Sequence, residues 1–175
     1  MLDRLSEKHR TDLDAVSQCV GLALSGAARS RYVFGGEPTE DDFGELELRF
    51  REGPTTTLHL ASNGESVRAS VRPMQLPEPF DIDSKGGGRC EWERVDLAAE
   101  PRWAALLGCR VAAVDAVIDG RGGDPGYEFS VGWRLRFDPA GSFLYFNNGD
   151  KAAVRWSGLP EPIEGLTIQA LQVAP

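Results

Sequence analysis

Two stretches of this chain spell nearly the same strand. Gly44-Glu-Leu-Glu-Leu-Arg-Phe50 and Gly132-Trp-Arg-Leu-Arg-Phe137 both alternate apolar with polar residues, and both end in Leu-Arg-Phe. Strict alternation puts Leu46, Leu48 and Phe50 on one face of the first strand and Trp133, Leu135 and Phe137 on one face of the second. That is the pattern of a sheet with one buried side. The likeness continues downstream. Turn residues follow each strand (Glu52-Gly53-Pro54 and Asp138-Pro139-Ala140-Gly141), then a second alternating run, Thr57–Leu60 and Phe143–Phe146. Next come Asn63-Gly64-Glu65 and Asn148-Gly149-Asp150, each followed by a short strand, Val67–Val71 and Ala152–Trp156. Asn-Gly accepts the positive φ angles of a type I′ turn, so both sites predict hairpins.

The match extends upstream at an offset of about 87 positions, seen at Gly21 and Gly108. Leu2, Leu5, Leu13, Val16 and Val20 are spaced for one helical face, and Gly21 is placed to end that helix. Pro101, Trp103, Leu106 and Leu107 predict a shorter helix that starts at proline and stops at Gly108. Residues 22–34 and 110–118 then read as strands, the second rich in β-branched side chains. The segment 73–96 carries Pro73, Pro77 and Pro79 and then two alternating runs around Gly86-Gly87-Gly88, which predicts a hairpin rather than a flexible linker. The expected fold is α+β: one domain of mostly antiparallel β-sheet with two helices, built from two pseudo-symmetric halves. Those halves are about residues 1–72 and 97–158, joined by the hairpin segment 73–96, with a closing strand near 166–171.

Composition narrows the function. Of 175 residues, 19 are Lys or Arg and 27 are Asp or Glu, a net charge of −8. Phosphate backbones and anionic lipid surfaces are held by basic clusters, so nucleic acid and membrane are not expected partners, and a basic protein is. No apolar run reaches the roughly 18 residues of a membrane span. The mixed-charge start Met1–Lys8 lacks a secretory pattern and predicts a cytoplasmic protein. Cys19, Cys90 and Cys109 are odd in number and lack C-x-x-C spacing, which argues against a disulfide framework or a zinc site.

Candidate chemistry is sparse, and no catalytic residue, cofactor or metal site is predicted. His9 falls near the apolar stripe of the first helix, and His59 alternates outward between Leu58 and Leu60. Two histidines far apart make no histidine metal cluster, and no G-x-S-x-G elbow occurs. Ser84-Lys-Gly-Gly-Gly-Arg89 has phosphate-loop residues but runs into an extended segment, without the helix N-terminus that would hold an anion. The strongest feature is acidic: Glu37, Glu40, Asp41, Asp42, Glu45 and Glu47 crowd one stretch that contains no basic residue. Such a stretch fits fast, salt-sensitive binding of a basic partner. The competing site is a ligand cleft between the halves, for which Asp81, Asp83, Arg134, Arg136 and Tyr145 are the candidates.

Val20-Gly-Leu-Ala-Leu-Ser-Gly-Ala-Ala-Arg29 resembles the opening of small, uncharacterised actinobacterial proteins. Trp133–Phe137 through Asn147–Asp150 is similar to a strand–hairpin signature in such proteins. Some members of this general type are immunity proteins encoded beside toxins. The resemblance implies a non-enzymatic protein that occludes a basic toxin with its acidic surface, and it brings no catalytic motif. The alternative class is a small ligand-binding domain or enzyme with its site between the halves.

Overall fold

The alternating segments become two antiparallel sheets. The computed structural model describes residues 7–62, 64–83, 86–120, 128–156 and 168–172. In chain order the elements are α1 (Glu7–Ser17), β1 (Leu24–Phe34), β2 (Glu37–Pro38), β3 (Leu46–Phe50), β4 (Thr56–Leu60), β5 (Val67–Val71), β6 (Phe80–Asp81) and β7 (Arg89–Asp96). Then come α2 (Pro101–Ala104), β8 (Arg110–Gly120), β9 (Glu128–Asp138), β10 (Gly141–Asn147), β11 (Ala152–Arg155) and β12 (Ile168–Gln172). One sheet runs β5-β4-β3-β1-β7-β6, with β2 pairing the end of β1; the other runs β11-β10-β9-β8-β12. The architecture is α+β, mostly antiparallel sheet with two helices among the described residues.

Register decides which side chains meet. Leu46 pairs with Leu58, and Leu58 with Ala69, so these share the inner face of the first sheet. Trp133 pairs with both Tyr145 and Ala116, and Leu135 with both Phe143 and Val114, giving the inner face of the second. Both faces feed one hydrophobic cluster, whose aromatic centre is Trp103, 4.9 Å from Phe143 and 4.9 Å from Trp156. Burying a large apolar side chain contributes roughly 1.5–3 kcal/mol, so this shared core is the main force joining the sheets. Helix α1 adds Leu13 and Val16 to the core and is fastened to β5 by polar contacts. Buried Asp12 accepts Arg68 Nε at 2.5 Å and the Ala69 amide at 3.3 Å. Leu2 and Leu5, expected on the same helical face, lie outside the described residues.

Several local expectations change in detail. The second helix is a single turn, shorter than its apolar spacing suggested, although Trp103 and Leu106 are both buried. In the β10–β11 hairpin the two positive-φ residues are Gly149 and Asp150, one position later than Asn-Gly implied. The β4–β5 connection spans residues 61–66 rather than two residues, and Asn63 lies outside the described residues. Gly35 and Gly36, both with positive φ, form a tight two-residue turn between β1 and β2. The segment after Pro79 does form the expected hairpin, with Phe80 opposite Cys90, and the closing strand is β12 on β8. Cys19, Cys90 and Cys109 are all free thiols; Cys90 accepts the Tyr32 hydroxyl at 3.0 Å.

Candidate functional site

Strand order forces the chain across one face of the first sheet. Strands β5 and β6 are consecutive in sequence but sit at opposite edges, five strand spacings apart. At ~4.8 Å per spacing the gap is about 24 Å. The nine residue steps from Val71 to Phe80 reach roughly 28–30 Å when extended, so residues 72–79 have little slack. Pro73, Pro77 and Pro79 suit such an extended strap, which has no regular secondary structure. Two side chains of the outer face hold it. Thr57 Oγ1 donates to the Arg72 carbonyl at 2.7 Å, and Glu47 Oε2 accepts the Met74 amide at 2.9 Å.

Beneath the strap, where the first sheet meets β10 and β11, lies a cleft of about 200 Å³. Gln75 and Pro77 of the strap roof it, and Ser30, Glu45, His59, Trp92 and Tyr145 are among its walls. Gly44 sets the corner. Its φ is +73°, and a Cβ there would stand 2.3 Å from the Ser30 carbonyl oxygen, so only glycine fits. The Gly44 carbonyl accepts the Tyr145 hydroxyl at 2.7 Å, which ties the second sheet to this corner.

Two polar atoms of the cleft residues are buried without a partner: Glu45 Oε2 and His59 Nδ1. Burial pushes the Glu45 carboxyl above its ordinary value against the opposing pull of Arg72. Burial, with Arg72 and Arg68 nearby, holds the His59 imidazole below its ordinary value, while Asp12 and the Thr57 backbone oppose. Burial beside Asp42 and Glu45 keeps the Tyr145 hydroxyl protonated far into the alkaline range. The cleft thus offers an imidazole that is neutral at pH 7, a phenol, an indole wall and the carboxyl groups of Glu45 and Asp42. Ser30 and His59 do not form a nucleophile pair. Ser30 Oγ accepts the Glu45 amide at 2.8 Å, and no hydrogen bond joins it to His59. Among the described residues no group of three His, Cys, Asp or Glu side chains is placed to hold a metal ion.

The acidic stretch is distributed over the structure and largely matched by basic groups from elsewhere. Glu40 pairs with Arg29 and, at 2.7 Å, with Arg31, and both arginines hold its carboxyl below the usual range. Asp41 pairs with Lys151, with the same effect. Asp42 Oδ1 accepts the Gly44 and Ala152 amides, each at 2.9 Å, stitching the loop to β11. Glu47 is buried and bound by Arg94, with Arg49 Nε at 3.7 Å. Glu45 lines the cleft, and Glu37 is exposed on β2. The loop is therefore a seam between the sheets more than an open acidic surface.

The alternative cleft residues are not brought together. Tyr145 shares the inner face with Trp133, whereas Arg134 and Arg136 point the other way and bind Asp115, Arg134 Nε at 2.7 Å. Asp81 and Asp83 are exposed at the β6 edge, where Asp81 lies 3.6 Å from Arg89. Of the five, Tyr145 lines the cleft beneath the strap. The alternation reading missed His59, because it assigns a face without saying what covers that face.

A second feature adjoins the cleft through Trp92. The Trp92 ring lies 5.2 Å from Tyr32 and 6.0 Å from Phe80. Phe80, Ile82 and Phe34 beside it are 52%, 41% and 37% exposed. Phe80 and Ile82 sit at the β6 edge of the sheet and Phe34 at the end of β1, across β7 from them, with exposed Glu37, Glu78, Asp81 and Asp83 in the same segments. No described helix is long and apolar enough to cross a membrane. Comparison with protein families, with curated proteins and with solved structures found no match to this chain.

Proposed function

We propose that the chain is a non-enzymatic protein-binding protein whose contact surface is the β6 edge. The observation that carries this reading is the exposed set Phe34, Phe80 and Ile82 backed by Tyr32 and Trp92 and bordered by carboxylates. Aromatic residues are enriched at the centre of protein interfaces and polar residues at the rim, and an open sheet edge invites a partner chain. The acidic border selects a basic protein and speeds its approach. An immunity protein that occludes a basic toxin is the narrower form of this proposal, and a cytoplasmic setting, in keeping with three free thiols, belongs to it. The two halves are, in the same proposal, copies of one unit. The matching strand orders β5-β4-β3-β1-β7 and β11-β10-β9-β8-β12 support that reading.

The test is retention of basic proteins from native bacterial lysate at low salt by the unaltered chain and by a Phe80→Asp/Ile82→Asp variant. A protein held by the first, lost at high salt and not held by the second, supports the surface. Equal retention by both removes it. A second reading, a small-ligand site between the halves, draws on the unpartnered Glu45 and His59 atoms in the cleft. A ligand that raises the melting temperature without the β6 edge would favour it.

A further inference from the structure

The cleft beneath the strap is small and lined by specific polar groups. At about 200 Å³ it falls below the roughly 300–1,000 Å³ of ordinary small-molecule sites, yet it can hold the head of one side chain. Its walls select for charge. Glu45 has a buried carboxylate oxygen with no partner, and Asp42 is a second acid on the lining. Arg72 is near enough to influence Glu45, but it forms no ion pair with it and donates instead to the Pro73 carbonyl at 3.2 Å. Among the described residues, therefore, no bound cation neutralises the acid inside the cleft. Trp92 adds an aromatic wall, the surface on which a flat cation stacks.

We propose that this cleft receives one arginine side chain of the partner protein, the guanidinium bonding Glu45 and stacking on Trp92. Guanidinium fits better than ammonium because it is planar, weakly hydrated and forked, matching a carboxylate beside an aromatic ring. The proposal rests on the protein-binding reading and deepens it. Trp92 belongs both to the cleft and to the aromatic edge, so an arginine entering the cleft would come from a chain already lying on β6. The Tyr145 hydroxyl and the His59 imidazole are uncharged at neutral pH, so among the described residues Arg72 and Arg68 are the nearby positive charges that an entering guanidinium meets.

The experiment is an NMR titration of the full chain with N-acetyl-arginine amide, reading the Trp92 indole and the Glu45 amide. N-acetyl-citrulline amide, the uncharged isostere, and N-acetyl-lysine amide serve as comparisons. Saturable shifts with the arginine probe, at least 10-fold weaker with the other two probes and with Glu45→Gln, are the expected result. Shifts of equal size with citrulline, equal binding of lysine, or no shift at the cleft would each overturn the proposal. The probe comparison does not depend on any variant folding. The Phe80→Asp/Ile82→Asp variant separates the two readings. It should still bind the arginine probe, and loss of the protein partner alone would leave the cleft intact. If the probe fails while that variant loses the partner, the edge stands and the cleft does not.

Discussion

Replacing Glu47 by glutamine tests whether the strap is held as the geometry implies. Glu47 is 3% exposed and serves three groups at once: the Met74 amide of the strap at 2.9 Å, the Arg94 guanidinium, and Arg49 at 3.7 Å. Both arginine side chains are 40% exposed, so each regains water when the charge is removed. Their share is discounted to the surface range of about 0–1 kcal/mol together. The amide bond to a charged acceptor is worth about 1.5–3 kcal/mol, and to a neutral one about 0.5–1.5, so glutamine forfeits about 1 kcal/mol there. The combined loss of about 1–2 kcal/mol corresponds to roughly 5- to 30-fold faster opening of the strap. Amide hydrogen exchange reads this directly at Met74, with Leu135 in the core strand β9 as the reference. Met74 should accelerate by that factor while Leu135 follows only the change in overall stability. Unchanged exchange at Met74, or equal acceleration at both, would refute a strap pinned locally by Glu47.

Four further outcomes follow from the same structure. Glu45 is raised above its ordinary 4.5 in the folded chain, so its share of stability is full below 4.5 and is lost as pH rises through the raised value. Glu45→Gln should therefore raise the urea midpoint at pH 7.5 and leave it nearly unchanged at pH 4. His59 has the opposite sign. Its folded value lies below the ordinary 6.5, so its stability is full above 6.5 and declines as pH falls through the folded value, and His59→Gln should flatten the midpoint between pH 7 and pH 5. Gly44→Ala meets a positive φ and a 2.3 Å approach to the Ser30 carbonyl, and should destabilise by more than about 2 kcal/mol, measured as a lower urea midpoint. Asp12→Asn removes the charge that Arg68 meets at 2.5 Å. Because Arg68 is 23% exposed and can rehydrate, the expected loss is about 2 kcal/mol, below the 3–5 of a fully buried pair, and a double-mutant cycle with Arg68→Met would isolate it.

Period-two alternation made the strands legible, and with them the inner faces carrying Leu46, Leu48, Trp133 and Leu135. It could not reveal what lies over the outer face. His59 and Glu47 alternate outward as solvent-facing residues do, yet the strap covers both, because β5 and β6 occupy opposite edges and strand order is not written locally. The acidic stretch illustrates the same limit. Its six carboxylates are adjacent in sequence, but Arg29, Arg94 and Lys151, which match three of them, come from β1, β7 and the turn before β11. Phe34, Phe80 and Ile82 gave no sequence signal as a group, since Phe34 and Phe80 come to flank Cys90 only when β6 and β7 fold back beside β1.

The crossing that creates the strap also sets a timetable for synthesis. Strand β1 gains β3, which begins 12 residues after Phe34, but its other neighbour, β7, pairs Phe34 with Cys90 and Ala28 with Asp96. At ~5–20 residues per second a ribosome takes about 3–11 s to supply the 56 residues from Phe34 to Cys90. During that interval Tyr32, Val33 and Phe34 present a bare strand edge, the kind of template that recruits stray chains. Nascent chains halted before residue 89 should therefore be the species most dependent on chaperones, and those released after residue 96 should be far less so.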